Sequence, residues 1–124
     1  MRLYHNPRCS KSRQALALLT ERGVEVEVHR YLEEGIAIED LEILSELEGI
    51  VRKKDAGKTV MDTLTTPEDV KALLSTQPRL LERPVLVADG RAIIGRPPED
   101  ILRMLDEVFG QHHAVHKGSP RVRR

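Results

Sequence analysis

In 124 residues the sequence has one cysteine, no tryptophan, two tyrosines and one phenylalanine. A single cysteine excludes an intramolecular disulfide and any cysteine-rich metal site. The scarcity of rings leaves the core to Leu, Val, Ile and Ala. It also removes the stacking platforms on which single-stranded nucleic acid is held. No apolar run is long enough to span a bilayer. The first residues lack a charged-then-apolar leader pattern, because Arg2-Leu3-Tyr4-His5 leads directly into Asn6-Pro7-Arg8. A cytoplasmic location is expected, since an exposed lone thiol survives best in a reducing compartment. No membrane partner is expected.

Net charge is absent too, with 20 basic and 20 acidic residues, but the balance is uneven along the chain. After Gly110 come Lys117, Arg121, Arg123 and Arg124 and no acid, together with Gly118, Ser119 and Pro120. Residues 1–110 are therefore expected to form one domain, and 111–124 a disordered basic tail. The tail carries no aromatic residue beside its charges, which argues against a nucleic-acid arm. His112, His113 and His116 lack a fixed scaffold there, so no metal site is expected.

What is present begins with a strand pattern, Met1 to His5, followed by a helix pattern with Ala15, Leu18, Leu19 and Arg22 on one stripe and Gly23 as its stop. Val24 to Arg30 alternates as a half-buried strand, with the valines inward. These three make a β-α-β unit. Tyr31 to Ala37 reads as a loop and Ile38 to Leu47 as a helix. Thr65-Thr66-Pro67-Glu68-Asp69 is a helix start, running to about Gln77 before Pro78. Asp89-Gly90 between Val85-Leu86-Val87 and Ala92-Ile93-Ile94 signals a hairpin. Pro97-Pro98 opens a last helix with Ile101, Leu102, Leu105, Val108 and Phe109 on its apolar face.

Cys9 falls between the first strand and the first helix, where free N–H groups and the helix dipole favour an anion. A thiolate is the nucleophile, and a free thiol near pKa ~8.5 supplies little of it at neutral pH. His5, Arg8 and Lys11 add cationic or protonatable groups nearby. Ser12 stands where a dithiol motif would carry its second cysteine, so an adduct on Cys9 must be resolved by an external thiol such as glutathione or a redoxin. The Ser12 hydroxyl could donate to the sulfur, or it could only satisfy first-turn amides. His5 could stabilise a thiolate or shuttle a proton, or be an ordinary loop residue. Arg83 and Arg96 each precede a proline and are thereby held at loop level, while Arg52 leads a basic patch with Lys53 and Lys54. Arginine forks suit tetrahedral oxyanions, although solubility alone would also account for them.

The stretches Tyr4-His5-Asn6-Pro7-Arg8-Cys9-Ser10-Lys11-Ser12-Arg13, Tyr31-Leu32-Glu33, Leu81-Glu82-Arg83-Pro84-Val85-Leu86-Val87 and Ile94-Gly95-Arg96-Pro97-Pro98-Glu99 resemble the glutaredoxin-linked arsenate reductase family, the ArsC and Spx-like branch of the thioredoxin superfamily. The resemblance implies an α/β, thioredoxin/glutaredoxin-like fold: a four-stranded mixed sheet flanked by helices, with a helical insertion between β-α-β and β-β-α halves. It implies a cis Arg83-Pro84 bond facing Cys9. Cys9 would attack arsenate, with His5 and Ser12 keeping the sulfur ionised and Arg52, Arg83 and Arg96 binding the oxyanion. No bound cofactor is implied; glutathione would be the reducing co-substrate and glutaredoxin the partner that resolves the mixed disulfide. The basic stretch around Arg52 is shorter than the family's, which leaves Lys53 and Lys54 as substitutes there. Two alternatives stand beside this one. They are a related glutathione-dependent oxidoreductase of another substrate and a Spx-like regulatory protein, although the C-x-x-C switch of the latter is missing.

Overall fold

The computed structural model describes residues 1–115. Its elements are β1 (Arg2–Tyr4), α1 (Ser10–Glu21), β2 (Glu27–His29), α2 (Tyr31–Glu34), α3 (Leu41–Ser45), α4 (Lys53–Ala56), α5 (Lys58–Asp62), α6 (Pro67–Thr76), β3 (Val85–Ala88), β4 (Arg91–Ile94) and α7 (Ile101–Val115). Single 3-10 turns lie at Ile38–Asp40, Pro78–Leu80 and Pro98–Asp100. The chain forms two compact units, one of Met1–His29 with the described residues from Arg83 onward, the other of Arg30–Glu82. The last helix continues beyond Gly110 to Val115, and the rest of the expected tail, 116–124, lies outside the described residues.

The first unit is a mixed four-stranded sheet in the order β2-β1-β3-β4. β1 runs parallel to β2 and antiparallel to β3, and β3 is antiparallel to β4. The parallel pair is the β-α-β unit, its crossover being α1. The β3–β4 turn places Asp89 at φ 51° and Gly90 at φ 72°, the two left-handed positions of a type I′ hairpin. Leu3 and Leu86, opposite each other in register, project into one cluster with Ala15 and Leu19 of α1 and Ile101, Met104 and Leu105 of α7. Both helices thus cover the same sheet face. Among the described residues that cluster is aliphatic, although Tyr4 and Tyr31 are also fully buried in the chain.

β2 departs from the burial expected of its alternation. It spans only three residues, and Val28 is exposed while His29 is buried. Val28 lies opposite Leu3 and so faces the core side of the sheet, but at the edge strand the helices leave it incompletely covered. The His29 ring lies against Tyr4, with centroids 4.9 Å apart. Val24 and Val26, which precede the strand, pack on the core as expected.

The second unit is helical, apart from a single bridge between Val51 and Leu81. α3 packs on α6, and Leu44, Leu74, Leu80 and Leu81 are buried. The Thr66 side chain accepts from Asp69 N–H at 3.2 Å, and the Asp69 carboxylate accepts from Thr66 N–H at 3.0 Å, closing a capping box on α6. Tyr31 to Ala37 is not all loop, because the buried Tyr31 begins α2. Ile38 to Leu47 is not one helix either: Ile38–Asp40 is a 3-10 turn, and α3 ends at Ser45.

Candidate active site

Register alone brings three distant segments together. Tyr4, the last residue of β1, is opposite Val85, the first of β3, and Val85 is opposite Ile94, the last of β4. The loop 5–9 leaving β1, Arg83-Pro84 entering β3 and Gly95-Arg96 leaving β4 therefore share one end of the sheet. The Arg83-Pro84 and Arg96-Pro97 bonds are both cis.

Cys9 is the N-cap residue of α1, extended at φ −94° and ψ 122°. Asn6 builds the loop that puts it there. Its carbonyl accepts from Cys9 N–H at 3.0 Å, and its side-chain oxygen accepts from Arg8 N–H at 2.9 Å. Its own N–H donates to Ser12 Oγ at 3.0 Å. Arg13 Nη1 adds a bond to the Pro7 carbonyl at 2.9 Å. The tight turn thus has backbone and side-chain partners on both sides of the cysteine.

The sulfur is half-buried. Arg96 Nη2 lies 3.6 Å from Sγ, and Arg96 Nε donates to the Arg83 carbonyl at 2.9 Å. Burial pushes the Cys9 thiol up. The Ser12 N–H, the Arg83 side chain, the Lys11 N–H and the Arg96 charge outweigh burial, and the thiol titrates below its ordinary value. The two amides act through their dipoles at the helix N-terminus, without closing a side-chain cap bond of ordinary geometry.

Among the residues expected at the site, Cys9, Arg83, Pro84 and Arg96 meet. Ser12 contributes differently from the hydroxyl donor expected: its backbone N–H is what favours the thiolate. Its buried hydroxyl lies 2.7 Å from His5 Nδ1 and accepts from Asn6. His5 and Ser12 form a buried pair behind the loop. Arg52 belongs to the second unit, where its Nε donates to Asp55 at 2.9 Å and its Nη1 to Glu82 at 3.1 Å. Glu82 and Asp55 hold the Arg52 guanidinium above its ordinary pKa despite the opposing effect of burial. Together with Gly49, Val51, Lys53, Lys54 and Glu82, Arg52 lines an open cavity of about 290 Å³. Sequence reasoning missed Asn6 and Gly95. The Asn-Pro pair is a turn signal that could have exposed the first; nothing in the sequence alone distinguishes the second.

A nucleophilic sulfur flanked by two guanidinium groups can attack a bound tetrahedral oxyanion. Among the described residues no cluster of His, Cys, Asp and Glu could hold a metal, and no helix is long and apolar enough to cross a membrane. The model of the ArsC family matches residues 4–104. The chain belongs to the ArsC family. This ArsC chain is 40% identical over 114 residues to an arsenate reductase of Neisseria meningitidis, covering 85% of this chain and 97% of that one. It is 43% identical over 114 residues to the uncharacterized protein YfgD of Escherichia coli, with 85% and 96% covered. The structure of an arsenate reductase from Vibrio cholerae superposes with a TM-score of 0.68 at 35% identity, over 83% of this chain and 97% of that one. The sheet and its flanking helices are accordingly the thioredoxin-like fold of that family.

Proposed function

We propose that this ArsC protein reduces arsenate to arsenite, with Cys9 as nucleophile and glutathione and glutaredoxin as the reducing system. The observation that carries the proposal is the sulfur at a helix N-terminus with Arg96 Nη2 at 3.6 Å and the Arg83 side chain beside it. Arg83 and Arg96 bind the arsenate oxygens, offering paired donors to a tetrahedral anion. The Cys9 thiolate attacks arsenic, an oxygen leaves as water after protonation, and a sulfur–arsenic(V) bond forms. A glutathione thiolate then attacks Cys9 Sγ. The sulfur–arsenic electron pair departs with arsenic, which is reduced to arsenite, and a Cys9–glutathione disulfide remains. A glutaredoxin thiolate takes the glutathione and releases the Cys9 thiolate. Two glutathione equivalents become one disulfide per arsenate.

That Cys9 is the only cysteine supports an external reductant, because no second thiol exists to resolve the adduct within the chain. The His5–Ser12 pair holds the first turn of α1 in place for the attack. The test is arsenate-dependent NADPH consumption with glutathione, glutathione reductase and glutaredoxin. Turnover is expected for the parent and none for Cys9→Ser. A folded parent that consumes no NADPH with arsenate would refute the reading and point to a thiol-dependent oxidoreductase of another substrate.

A further inference from the structure

We propose that Gly95 is a positioning residue of the site, its missing side chain being what lets Arg83 and Arg96 close on Cys9. Gly95 is buried, and its backbone lies outside the left-handed region, so space rather than conformation calls for glycine here. A Cβ at this position would lie 2.9 Å from Ile101 Cγ2, 3.0 Å from Pro84 Cγ and 3.6 Å from the Pro98 carbonyl oxygen. Neither close neighbour can swing aside. Ile101 is fully buried in the core as the first residue of α7, and Cγ2 is fixed to its branched Cβ. Pro84 is a buried rigid ring, tied to Gly95 by the 2.8 Å bond from Gly95 N–H to the Pro84 carbonyl.

The connection to the sulfur is short. The Arg83 carbonyl shares a peptide plane with the Pro84 nitrogen, so displacing the ring displaces that oxygen. The same oxygen anchors Arg96 Nε at 2.9 Å, and from that anchor Nη2 reaches Cys9 Sγ at 3.6 Å. Arg83 also donates to the sulfur from its own side chain. One methyl group at residue 95 therefore disturbs both guanidinium groups while touching neither.

The experiment is a pH titration of Cys9 alkylation by iodoacetamide, a neutral reagent, on the parent, Gly95→Ala, Ile101→Leu and the double variant. Leucine lacks the Cγ2 branch, so the double variant relieves the core overlap and folds even if Gly95→Ala alone does not. It keeps the contact with Pro84. Ile101→Leu is expected to titrate as the parent does. Gly95→Ala and the double variant are expected to shift the midpoint upward, with alkylation below it slowed about two- to threefold by the weakening of one charge-assisted hydrogen bond. A merely structural glycine would lower the melting temperature and leave the midpoint alone. A folded double variant with the parental midpoint overturns the proposal. The titration uses no arsenate, so a parent that fails to reduce arsenate overturns the substrate reading alone.

Discussion

Replacing Arg96 by glutamine removes a charge 3.6 Å from the sulfur and leaves a neutral side chain able to donate to the Arg83 carbonyl. Two unit charges about 4 Å apart interact by about 4 kcal/mol at an effective dielectric near 20, and by about 1 kcal/mol in bulk water. The sulfur is half-buried and the guanidinium charge is spread over three nitrogens, which puts the loss at about 1–2 kcal/mol. That is roughly a 5- to 30-fold fall in the ratio of thiolate to thiol. A more basic thiolate is also more nucleophilic, with a Brønsted slope of about 0.4–0.5, so the alkylation rate below the midpoint falls only about two- to eightfold. The alkaline plateau rises. Iodoacetamide kinetics from acid to alkaline pH measure both effects in one data set. Arg96→Lys keeps the charge but loses the planar fork that spans the carbonyl and the sulfur, and it falls between parent and Arg96→Gln. If Arg96→Gln reproduces the parental curve, the guanidinium does not stabilise the anion, and its proposed part in oxyanion binding loses its electrostatic basis.

The lowered Cys9 pKa makes stability pH-dependent. Because the folded value lies below the unfolded value of about 8.5, the contribution is complete above that pH and disappears as pH falls through the folded value. Melting temperatures of the parent and Cys9→Ser should therefore diverge as pH rises through this window; a gap that is constant with pH contradicts the assignment. Ser12→Ala takes the buried acceptor from Asn6 N–H and the hydroxyl from His5 Nδ1, and should cost about 1–3 kcal/mol in denaturant unfolding. A loss below a few tenths would show the pair to be unimportant to the fold. In the helical unit, Thr66→Ala opens the capping box of α6 and should cost about 1 kcal/mol by the same method, with no change in Cys9 alkylation.

Local signals in the sequence were strongest where a few residues decide an element without help from the rest of the chain. Asp89-Gly90 dictates its hairpin through two positive φ angles, and Thr66-Pro67 with Asp69 dictates where α6 begins. The placement of Cys9 at a helix start was legible for the same reason. Tertiary context decided the remainder. Val28 of β2 faces the core side, as its alternation leads one to expect, but stays exposed because the strand is an edge, which periodicity cannot reveal. Arg83 and Arg96 meet across the β3–β4 hairpin that Asp89-Gly90 signals, but their meeting with Cys9 depends on antiparallel register between β1 and β3, strands more than 80 residues apart. The Ser12 hydroxyl, which the sequence leaves open as a donor to the sulfur or a partner of backbone amides, pairs behind the loop, and the backbone N–H that any residue but proline carries is what favours the thiolate. Gly95 is legible only once the surroundings of its absent Cβ are known.

Cys9 occupies the N-cap position of α1, and in the proposed cycle the same sulfur begins the reaction and must depart at its end. Within that cycle, the amides and guanidinium groups that draw the proton off the thiol also make the Cys9 anion a good leaving group when an external thiol attacks the mixed disulfide. Any sulfur bonded to arsenic or to glutathione is uncharged and forgoes those interactions. In that proposed cycle the stabilised thiolate favours release of the free Cys9 over its covalent intermediates.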